Sequence, residues 1–270
     1  MYSKHLIDVE YIKLNLKQQG LKLGKCQPYK LYNLDQDHFL GINGTKKCIQ
    51  KMRINSNDIV LDIGSGFGGV SRFIANKTGA KVVGVEIQKD RCAFAVNVTK
   101  KSGLDDKVSF ICEDFVSTNL DENGYTKIVA ILSILHFLDK QQALRKAAHV
   151  LKKNGLIYIE DYYKSKSSFT RQENEKLLKI ISCPNLFLKK DYLSELEKQG
   201  IKILSVDDLT KTWKTQASLR FDDMRMNIKP YRVKYGEAKA LKAFEFALGV
   251  SELLDSGIIH GFRIIGKKIK

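Results

Sequence analysis

The sequence predicts an α/β protein in which a mostly parallel sheet carries helices on both faces. Three observations support this fold class. Apolar runs rich in β-branched residues alternate with helical patterns, at the spacing typical of βαβ units. A glycine cluster, Gly64 to Gly69, directly follows the first of these runs. The chain has 270 residues, of which 43% are hydrophobic, and this is enough for a full-sized core.

The pattern predicts the following elements. Apolar runs place strands at about 58–63, 81–86, 107–112, 127–134, 156–160, 201–206 and 258–268. The fourth run is continuously apolar, which is typical of a strand buried on both faces. Helical periodicity places helices at about 3–20, 45–53, 70–78, 91–102, 139–151, 170–181, 189–199, 211–229 and 234–255. Asp90 is expected to cap the helix that follows it, and Asn154–Gly155 to form the turn into the fifth strand.

These elements suggest how the chain is divided. Residues 1–44 are expected to form an N-terminal helix and a segment that covers the site, although this helix could equally pack on the main domain. Residues 45–270 form the main domain. The region at about 162–200 breaks the strand–helix alternation and is interpreted as a cap inserted over the ligand side, and a helical segment follows at about 211–255.

The net charge of +16 favours anionic partners such as phosphorylated small molecules, a membrane surface or nucleic acid. Lysines are spread along the whole chain, however, so a simple compositional bias explains the charge equally well. No nucleic-acid-binding motif is visible. No apolar run approaches the 18 or so residues that a transmembrane helix needs.

The five cysteines stand far apart and form no C-x-x-C motif, so they suggest neither a zinc site nor a redox pair. Cys92 and Cys112 fall within apolar patterns and are expected to be buried thiols. A reducing compartment follows as the default, and with it a cytoplasmic location. The N-terminus lacks an apolar leader, but prior removal of a transit peptide would leave a mitochondrial location open.

The glycine cluster is the strongest functional signal. Its spacing is Gly64-x-Gly66-x-Gly68, and Asp62 stands two residues before it. A strand, a tight turn and a helix in this order let a carboxylate or phosphate approach the backbone at a helix N-terminus. A dinucleotide site prefers G-x-G-x-x-G, which this is not. The alternative is a glycine-rich turn without a ligand.

The pattern acid-hydrophobe-G-x-G-x-G resembles motif I of the class I S-adenosylmethionine-dependent methyltransferases. This resemblance implies a Rossmann-like, seven-stranded sheet whose final strand is reversed, and S-adenosyl-L-methionine as the cofactor. The glycine turn, with Ser65, would hold the amino acid end. Glu86, at the end of the second strand, would accept hydrogen bonds from the ribose, and Ile87 would pack on the adenine. Asp114 would accept from the adenine amino group beside Phe115, or else cap a helix.

A narrower resemblance links the chain to the phosphoethanolamine, sterol and cyclopropane-synthase-like small-molecule methyltransferases. Leu61 to Gly69 is similar to their LDIGSGxGG motif, and Asp35 to Thr45 is similar to their DQxHxGG…T element. The second element implies that Gln36 and His38 contact the methionine end. Ile134-Leu135-His136-Phe137 resembles the ILHL segment of the phosphoethanolamine enzymes, whose histidine is a catalytic base. Trp213 and His260-Gly261-Phe262 also resemble residues in the C-terminal part of those enzymes.

His136 is therefore the candidate base, because methyl transfer needs a lone pair on the attacking atom. Tyr32, or Tyr29, would close over it. The alternative is a histidine that packs at a strand end, with catalysis by positioning alone. The phosphoethanolamine enzymes carry Arg-Asp where this chain has Ile131 and Leu132, so the acid that would orient the histidine is missing. Leu132 is assigned to the cofactor site.

Other residues fit an acceptor pocket or an ordinary surface equally well, namely Tyr162, Tyr163, Lys164 and Lys166. The sequence thus predicts methyl transfer to N or O of a small molecule, such as a phosphobase, a lipid-related compound or another anionic acceptor, with no metal. A catalytically inactive structural subunit of a larger assembly is the alternative. An RNA methyltransferase is a third option, but this sequence contains no N/D-P-P-Y/F motif to support it.

Overall fold

The computed structural model describes residues 7–21, 30–32, 34–36 and 38–270. Its strands are β1 (Ile59–Ile63), β2 (Lys81–Val85), β3 (Val108–Ile111), β4 (Tyr125–Ile131), β5 (Leu151–Lys164), β6 (Ile201–Asp208) and β7 (Ile259–Lys268). They form one sheet in the order β3-β2-β1-β4-β5-β7-β6. The first five strands run parallel, and β7 lies antiparallel between β5 and β6. The expected mostly parallel, seven-stranded sheet with a reversed final strand is confirmed.

The helices are α1 (Val9–Gln18), α2 (Gly41–Met52), α3 (Gly69–Thr78), α4 (Lys89–Lys101), α5 (Lys140–Val150), α6 (Arg171–Ile181), α7 (Lys189–Lys198), α8 (Thr210–Met226), α9 (Ile228–Tyr235) and α10 (Glu237–Asp255). Two long helices were expected at about 211–255, and three are found. Pro230 explains the break, because it lies in the first turn of α9, where the missing N–H group of a proline costs little. Asp90 is not a cap. The helix begins earlier, after Gln88, so Asp90 falls within its first turn.

Two strands differ from their expected bounds. β4 ends at Ile131, although the apolar run continues to Ile134. There Leu132 turns into the left-handed region with φ of 50°, and its N–H donates to the Glu160 carbonyl. Residues Ile134–His136 then form a 3₁₀ turn. β5 begins at Leu151 rather than at Leu156, because Asn154, with φ of 66°, is part of a bulge within the strand.

The packing of four helices places the walls of the site. α1 buries Ile12 and Leu16 against Phe67 and Phe94, so the N-terminal helix lies beside the glycine turn. Residues 3–6 of the predicted helix lie outside the described residues. The cap helices α6, α8 and α10 share a separate apolar cluster, in which Trp213 stacks on Phe39 and meets Tyr162 edge-on. This second cluster holds the cap over the carboxyl edge of the sheet.

Cys92 and Cys112 form a disulfide, so the expectation of two buried thiols is wrong. Cys92 lies in α4, and Cys112 follows β3 with an exposed side chain. Their Cα atoms are 5.6 Å apart, because α4 packs along the strand that follows it in sequence. Cys48 and Cys183 are buried free thiols, and Cys26 lies outside the described residues. The inference of a reducing compartment from unpaired cysteines therefore loses its basis.

In the described part of the chain, no helix combines the length and the apolar character that a membrane-spanning helix requires.

Candidate cofactor and acceptor site

A cavity of about 1060 Å³ opens at the carboxyl edge of β1, β2 and β4. In open α/β sheets ligands bind at this edge. The cavity is bounded by the glycine turn, by the strand ends, by the segment before α2 and by the cap helices α8 and α10. The structure therefore brings together one wall from the sheet and one from the cap.

The glycine turn forms the floor of the cavity. Gly64, Gly66 and Gly68 all have positive φ, with values of 72°, 55° and 76°. A Cβ atom at Gly64 would lie 2.5 Å from the Cβ of Ser133, so the turn packs tightly against the segment after β4. At Gly66 no described atom lies within 4 Å of the Cβ position. The backbone at Gly66 thus faces open space, where a ligand can approach it.

Glu86 is held in place at the end of β2. One carboxylate oxygen accepts from the Gly66 N–H at 2.9 Å, and the other accepts from the Gln88 N–H at 2.8 Å. The side chain is 5% exposed, and it borders the cavity. Ile87 beside it is 55% exposed and also borders the cavity. This arrangement gives a fixed acceptor and an apolar surface next to the glycine turn.

Asp62 lies buried under the turn, and the Ser71 hydroxyl donates to its carboxylate at 2.6 Å. Burial raises the pKa of Asp62 to about 6, although the Ser71 hydrogen bond opposes this rise. No cation is paired with Asp62 among the described residues. A buried carboxylate without a cation favours a positively charged ligand group nearby.

Asp114 and Phe115 follow β3. The carboxylate of Asp114 accepts from the Val116 N–H at 3.0 Å within a turn at 115–117, and because no helix follows this residue, the interpretation as a helix cap is wrong. Asp114 also lines the cavity, so contact with adenine stays a prediction. Phe115 is buried, and its ring lies edge-on to Phe137 with centroids 6.0 Å apart.

The segment before α2 adds polar groups to the cavity. The Thr45 hydroxyl donates to Oε1 of Gln36 at 2.7 Å and lies 3.5 Å from Nε2 of His38. Nε2 of Gln36 is buried without an acceptor among the described residues, and the hydroxyls of Ser65 and Ser133 are likewise unpartnered. Buried polar atoms are nearly always paired in folded proteins. Three such atoms around one cavity therefore fit a polar ligand between them.

A buried ion pair that sequence reasoning missed supports this segment. Nη2 of Arg72 lies 2.6 Å from the Asp35 carboxylate, and both side chains are fully buried. The same guanidinium donates to the Phe67 carbonyl at 2.7 Å and to the Thr99 hydroxyl at 3.1 Å. Arg72 thereby connects the segment before α2 to α3, α4 and the glycine turn. A charged residue among the apolar positions of the predicted helix 70–78 was the available signal.

His136 lies in the 3₁₀ turn, half-buried and at the cavity wall. Its Nδ1 is 3.2 Å from the carbonyl oxygen of Ser182. A carbonyl only accepts, so in this hydrogen bond Nδ1 carries the proton and Nε2 of the neutral ring keeps its lone pair. A backbone carbonyl therefore occupies the orienting role of the missing acid.

The turn that carries His136 rests on a second buried group that sequence reasoning missed. Asp161 is fully buried, and it accepts from the backbone N–H groups of Leu135 at 2.8 Å and Tyr162 at 2.7 Å. Burial raises the pKa of Asp161 to about 7. Lys140 donates to the Phe137 carbonyl at 2.8 Å from the other side. These contacts fix residues 135–137 at the cavity wall.

Some of the remaining predicted residues line the cavity and others do not. Leu132 and Tyr162 line the cavity, and so does Tyr32, whose hydroxyl accepts from Asn76 at 2.9 Å. Tyr163 stacks on His260 instead, with ring centroids 5.3 Å apart. Lys164, Lys166 and Tyr163 are absent from the described lining, and Lys166 pairs with Glu173. Tyr29 lies outside the described residues. Tyr162 is therefore the member of the predicted acceptor group that borders the cavity.

Residues 54–200, more than half of the chain, match a protein family described as "Methyltransferase domain". The chain is 26% identical over 169 residues to the methyltransferase GfsG of Streptomyces halstedii, covering 62% of this chain and 61% of GfsG. It is 27% identical over 203 residues to the phosphoethanolamine N-methyltransferase of Plasmodium falciparum, covering 74% of each chain. The chain thus spans about three fifths of the length of GfsG.

Among solved structures, the phosphoethanolamine N-methyltransferase 2 of Haemonchus contortus in complex with S-adenosyl-L-methionine matches with a TM-score of 0.80. The identity is 15%, and the match covers 96% of this chain and 60% of that chain. At this identity the likeness concerns the fold alone. The family match shows that this chain belongs to the methyltransferases, and its fold is that of the class I S-adenosylmethionine-dependent enzymes.

Proposed function

We propose that this protein transfers a methyl group from S-adenosyl-L-methionine to a nitrogen or oxygen atom of a small molecule, either a phosphobase or a lipid-related compound. The observation that supports this proposal most strongly is the set of polar groups around one end of the cavity. Glu86 is held on the glycine turn, Asp62 lacks a cation, and Nε2 of Gln36 lacks an acceptor among the described residues. These groups fit a ligand with hydroxyls, an ammonium group and a carboxylate.

Each group has a distinct role in this proposal. The carboxylate of Glu86 accepts from the ribose hydroxyls, and Asp62 lies near the ammonium group. Nε2 of Gln36 and the hydroxyl of Ser65 donate to the carboxylate, with His38 alongside. Ile87 and Phe115 would pack against the adenine, Asp114 would accept from its amino group, and Leu132 would complete the cofactor site. When bound, the cofactor supplies an electrophilic methyl group, whose bond to sulfur breaks as the acceptor's lone pair forms the new bond.

The chain's own residues position the acceptor and remove its proton. Nε2 of His136 takes the proton from the acceptor nitrogen or oxygen, while Nδ1 donates to the Ser182 carbonyl and fixes the ring. Tyr32 also borders the cavity, and its hydroxyl accepts from Asn76 of α3. Closure of the cap over the cavity excludes water, and this favours transfer to the acceptor over transfer to solvent.

Titration calorimetry with S-adenosyl-L-methionine and its demethylated product tests the cofactor assignment. We expect binding in the micromolar range for the folded full chain and a loss of at least tenfold in affinity for Glu86→Gln. No binding at millimolar cofactor refutes the proposal. Binding without methylation of any amine, phosphobase or lipid acceptor supports the inactive structural subunit instead.

His136→Ala tests the base. Turnover should fall about 100-fold or more, since a general base contributes about 10²–10⁴ to rate, whereas the cofactor dissociation constant should stay within twofold. His149→Ala is the matched control, because His149 lies exposed on α5. Unchanged turnover of His136→Ala removes His136 as the base and leaves positioning as the source of catalysis.

A further inference from the structure

The half of the cavity away from the glycine turn is built by two helices of the cap. On α10 the lining residues stand at positions 0, 3, 4 and 7 of a helical repeat, so they form one face. They are Ala243, Phe246, Ala247 and Val250. On α8, Ala217 and Met224 line the same space, and Ile181 of α6 completes it. We call the wall formed by these seven residues the cap face.

The cap face is apolar but does not fill the space in front of it. Ala217, Ala243 and Ala247 are small, and a larger residue at any of them would reduce the volume. The whole cavity, at about 1060 Å³, exceeds the roughly 300–1000 Å³ of a site for one drug-sized ligand. Beyond the cofactor there is therefore room for a second molecule, which the cap face would contact through hydrocarbon.

The charged groups of this half do not form a phosphate site. Arg220 is exposed, donates to the His38 carbonyl at 2.6 Å, and lies over the Phe39 ring at 5.1 Å. The carboxylate of Asp223 is at the same rim and accepts from the Tyr231 hydroxyl at 2.9 Å. Lys46 is an exposed residue of α2.

Arg91 also lines the cavity but lies over Phe67, on the cofactor side. Thus, among the described residues, the cap face presents no buried cation. A phosphate group against the cap face would find only exposed cations at the rim, Arg220 and Lys46, so the cost of burying it there would be poorly compensated.

We propose that the acceptor is an amphipathic molecule with a nucleophilic amine or hydroxyl and a hydrocarbon body larger than that of an amino alcohol. The nucleophile lies at His136, and the hydrocarbon body lies against the cap face. This inference rests on the proposed methyl transfer, and it selects the lipid-related acceptor over the phosphobase.

Binding of matched probes to the full chain, saturated with S-adenosylhomocysteine, tests the inference. Decylamine and decanol carry the two nucleophiles on a hydrocarbon body, while ethanolamine and phosphoethanolamine carry an amine without one. We expect the decyl probes to bind at least tenfold more tightly than either small amine. Equal or tighter binding of phosphoethanolamine overturns the inference. Failure of S-adenosylhomocysteine itself to bind refutes the proposed function instead.

Ala247→Trp tests the location, because the indole fills the space before the cap face. It should weaken decylamine binding at least tenfold and leave the dissociation constant of S-adenosylhomocysteine within twofold. Ala238→Trp, at an exposed position of the same helix, is the control and should change neither. Ala247→Leu is the milder insertion if the tryptophan variant does not fold. Unchanged decylamine affinity in a folded Ala247 variant places the hydrocarbon elsewhere and overturns the inference.

Discussion

Asp62 offers a sharp test, because one substitution should stabilise the protein and impair ligand binding together. Its carboxylate is buried with a single hydroxyl partner, and its pKa is raised from 3.8 to about 6. Ionised Asp62 therefore destabilises the folded state relative to the unfolded chain. Asp62→Asn removes this charge while keeping the shape of the side chain.

The magnitude follows from the raised pKa. A difference of about two pKa units corresponds to about 3 kcal/mol at pH 8, where Asp62 is ionised in both the folded and the unfolded state. As the pH falls, the folded state takes up its proton first, so the destabilisation shrinks to about half at pH 5 and nearly vanishes below pH 4. The gain from Asp62→Asn should shrink in the same way. The measured gain will be smaller than 3 kcal/mol, because the new amide group needs an acceptor of its own.

Urea unfolding of the wild-type and variant proteins at pH 8, 6.5 and 5 measures this difference. Asp105→Asn, at an exposed position, controls for the general effect of removing a carboxylate. Calorimetry at pH 8 should also show at least tenfold weaker S-adenosyl-L-methionine binding to Asp62→Asn. A difference in unfolding free energy that stays constant from pH 8 to pH 5 would refute the reasoning, as would unchanged cofactor affinity.

Three further substitutions test the supports of the site. Cys112→Ser should lower the free energy of unfolding by about 3 kcal/mol, because the Cys92–Cys112 disulfide spans 20 residues, and dithiothreitol should no longer affect urea unfolding of the variant. Arg72→Met leaves Asp35 buried without its cation and should cost about 3–5 kcal/mol. The double variant Asp35→Asn/Arg72→Met should recover part of that loss in thermal melts, and full additivity would contradict the pairing. Gly64→Ala, at φ of 72°, should lower stability by about 1–3 kcal/mol, and an unchanged melting temperature would show that the turn relaxes freely.

The sheet could be predicted because its signals are local. Each parallel strand is a short apolar run with a turn signal at its end, and the acids at 86 and 114 occupy strand ends whose positions follow from that pattern. The end of β4 could not be predicted in this way. Leu132 and Ile134 continue its apolar run, and the strand stops where Leu132 takes a left-handed conformation with φ of 50°, directly after the last hydrogen bond of the β4–β5 ladder, from the Leu132 N–H to the Glu160 carbonyl.

The missed features of the site depend on contacts between distant parts of the chain. Arg72 and Asp35 are 37 positions apart, so neither residue alone indicates a pair. The disulfide depends on the rotation of α4 relative to β3, which periodicity does not determine. Similarly, the apolar face of α10 has the spacing of an ordinary core face. Only its position facing an open cavity distinguishes this face of α10 from a helix face that is packed in the core.

The placement of the cap helices in the chain has an evolutionary consequence. α8, α9 and α10 form one continuous stretch between β6 and β7, whereas the glycine turn, Glu86 and Asp114 lie within the first half of the chain. If the cap face holds the acceptor as proposed, substitutions between residues 210 and 255 would change the acceptor pocket without changing the glycine turn, Glu86 or Asp114. The segment between β6 and β7 would be the natural unit to exchange with that of a homologue, in order to transfer acceptor preference from one enzyme to another.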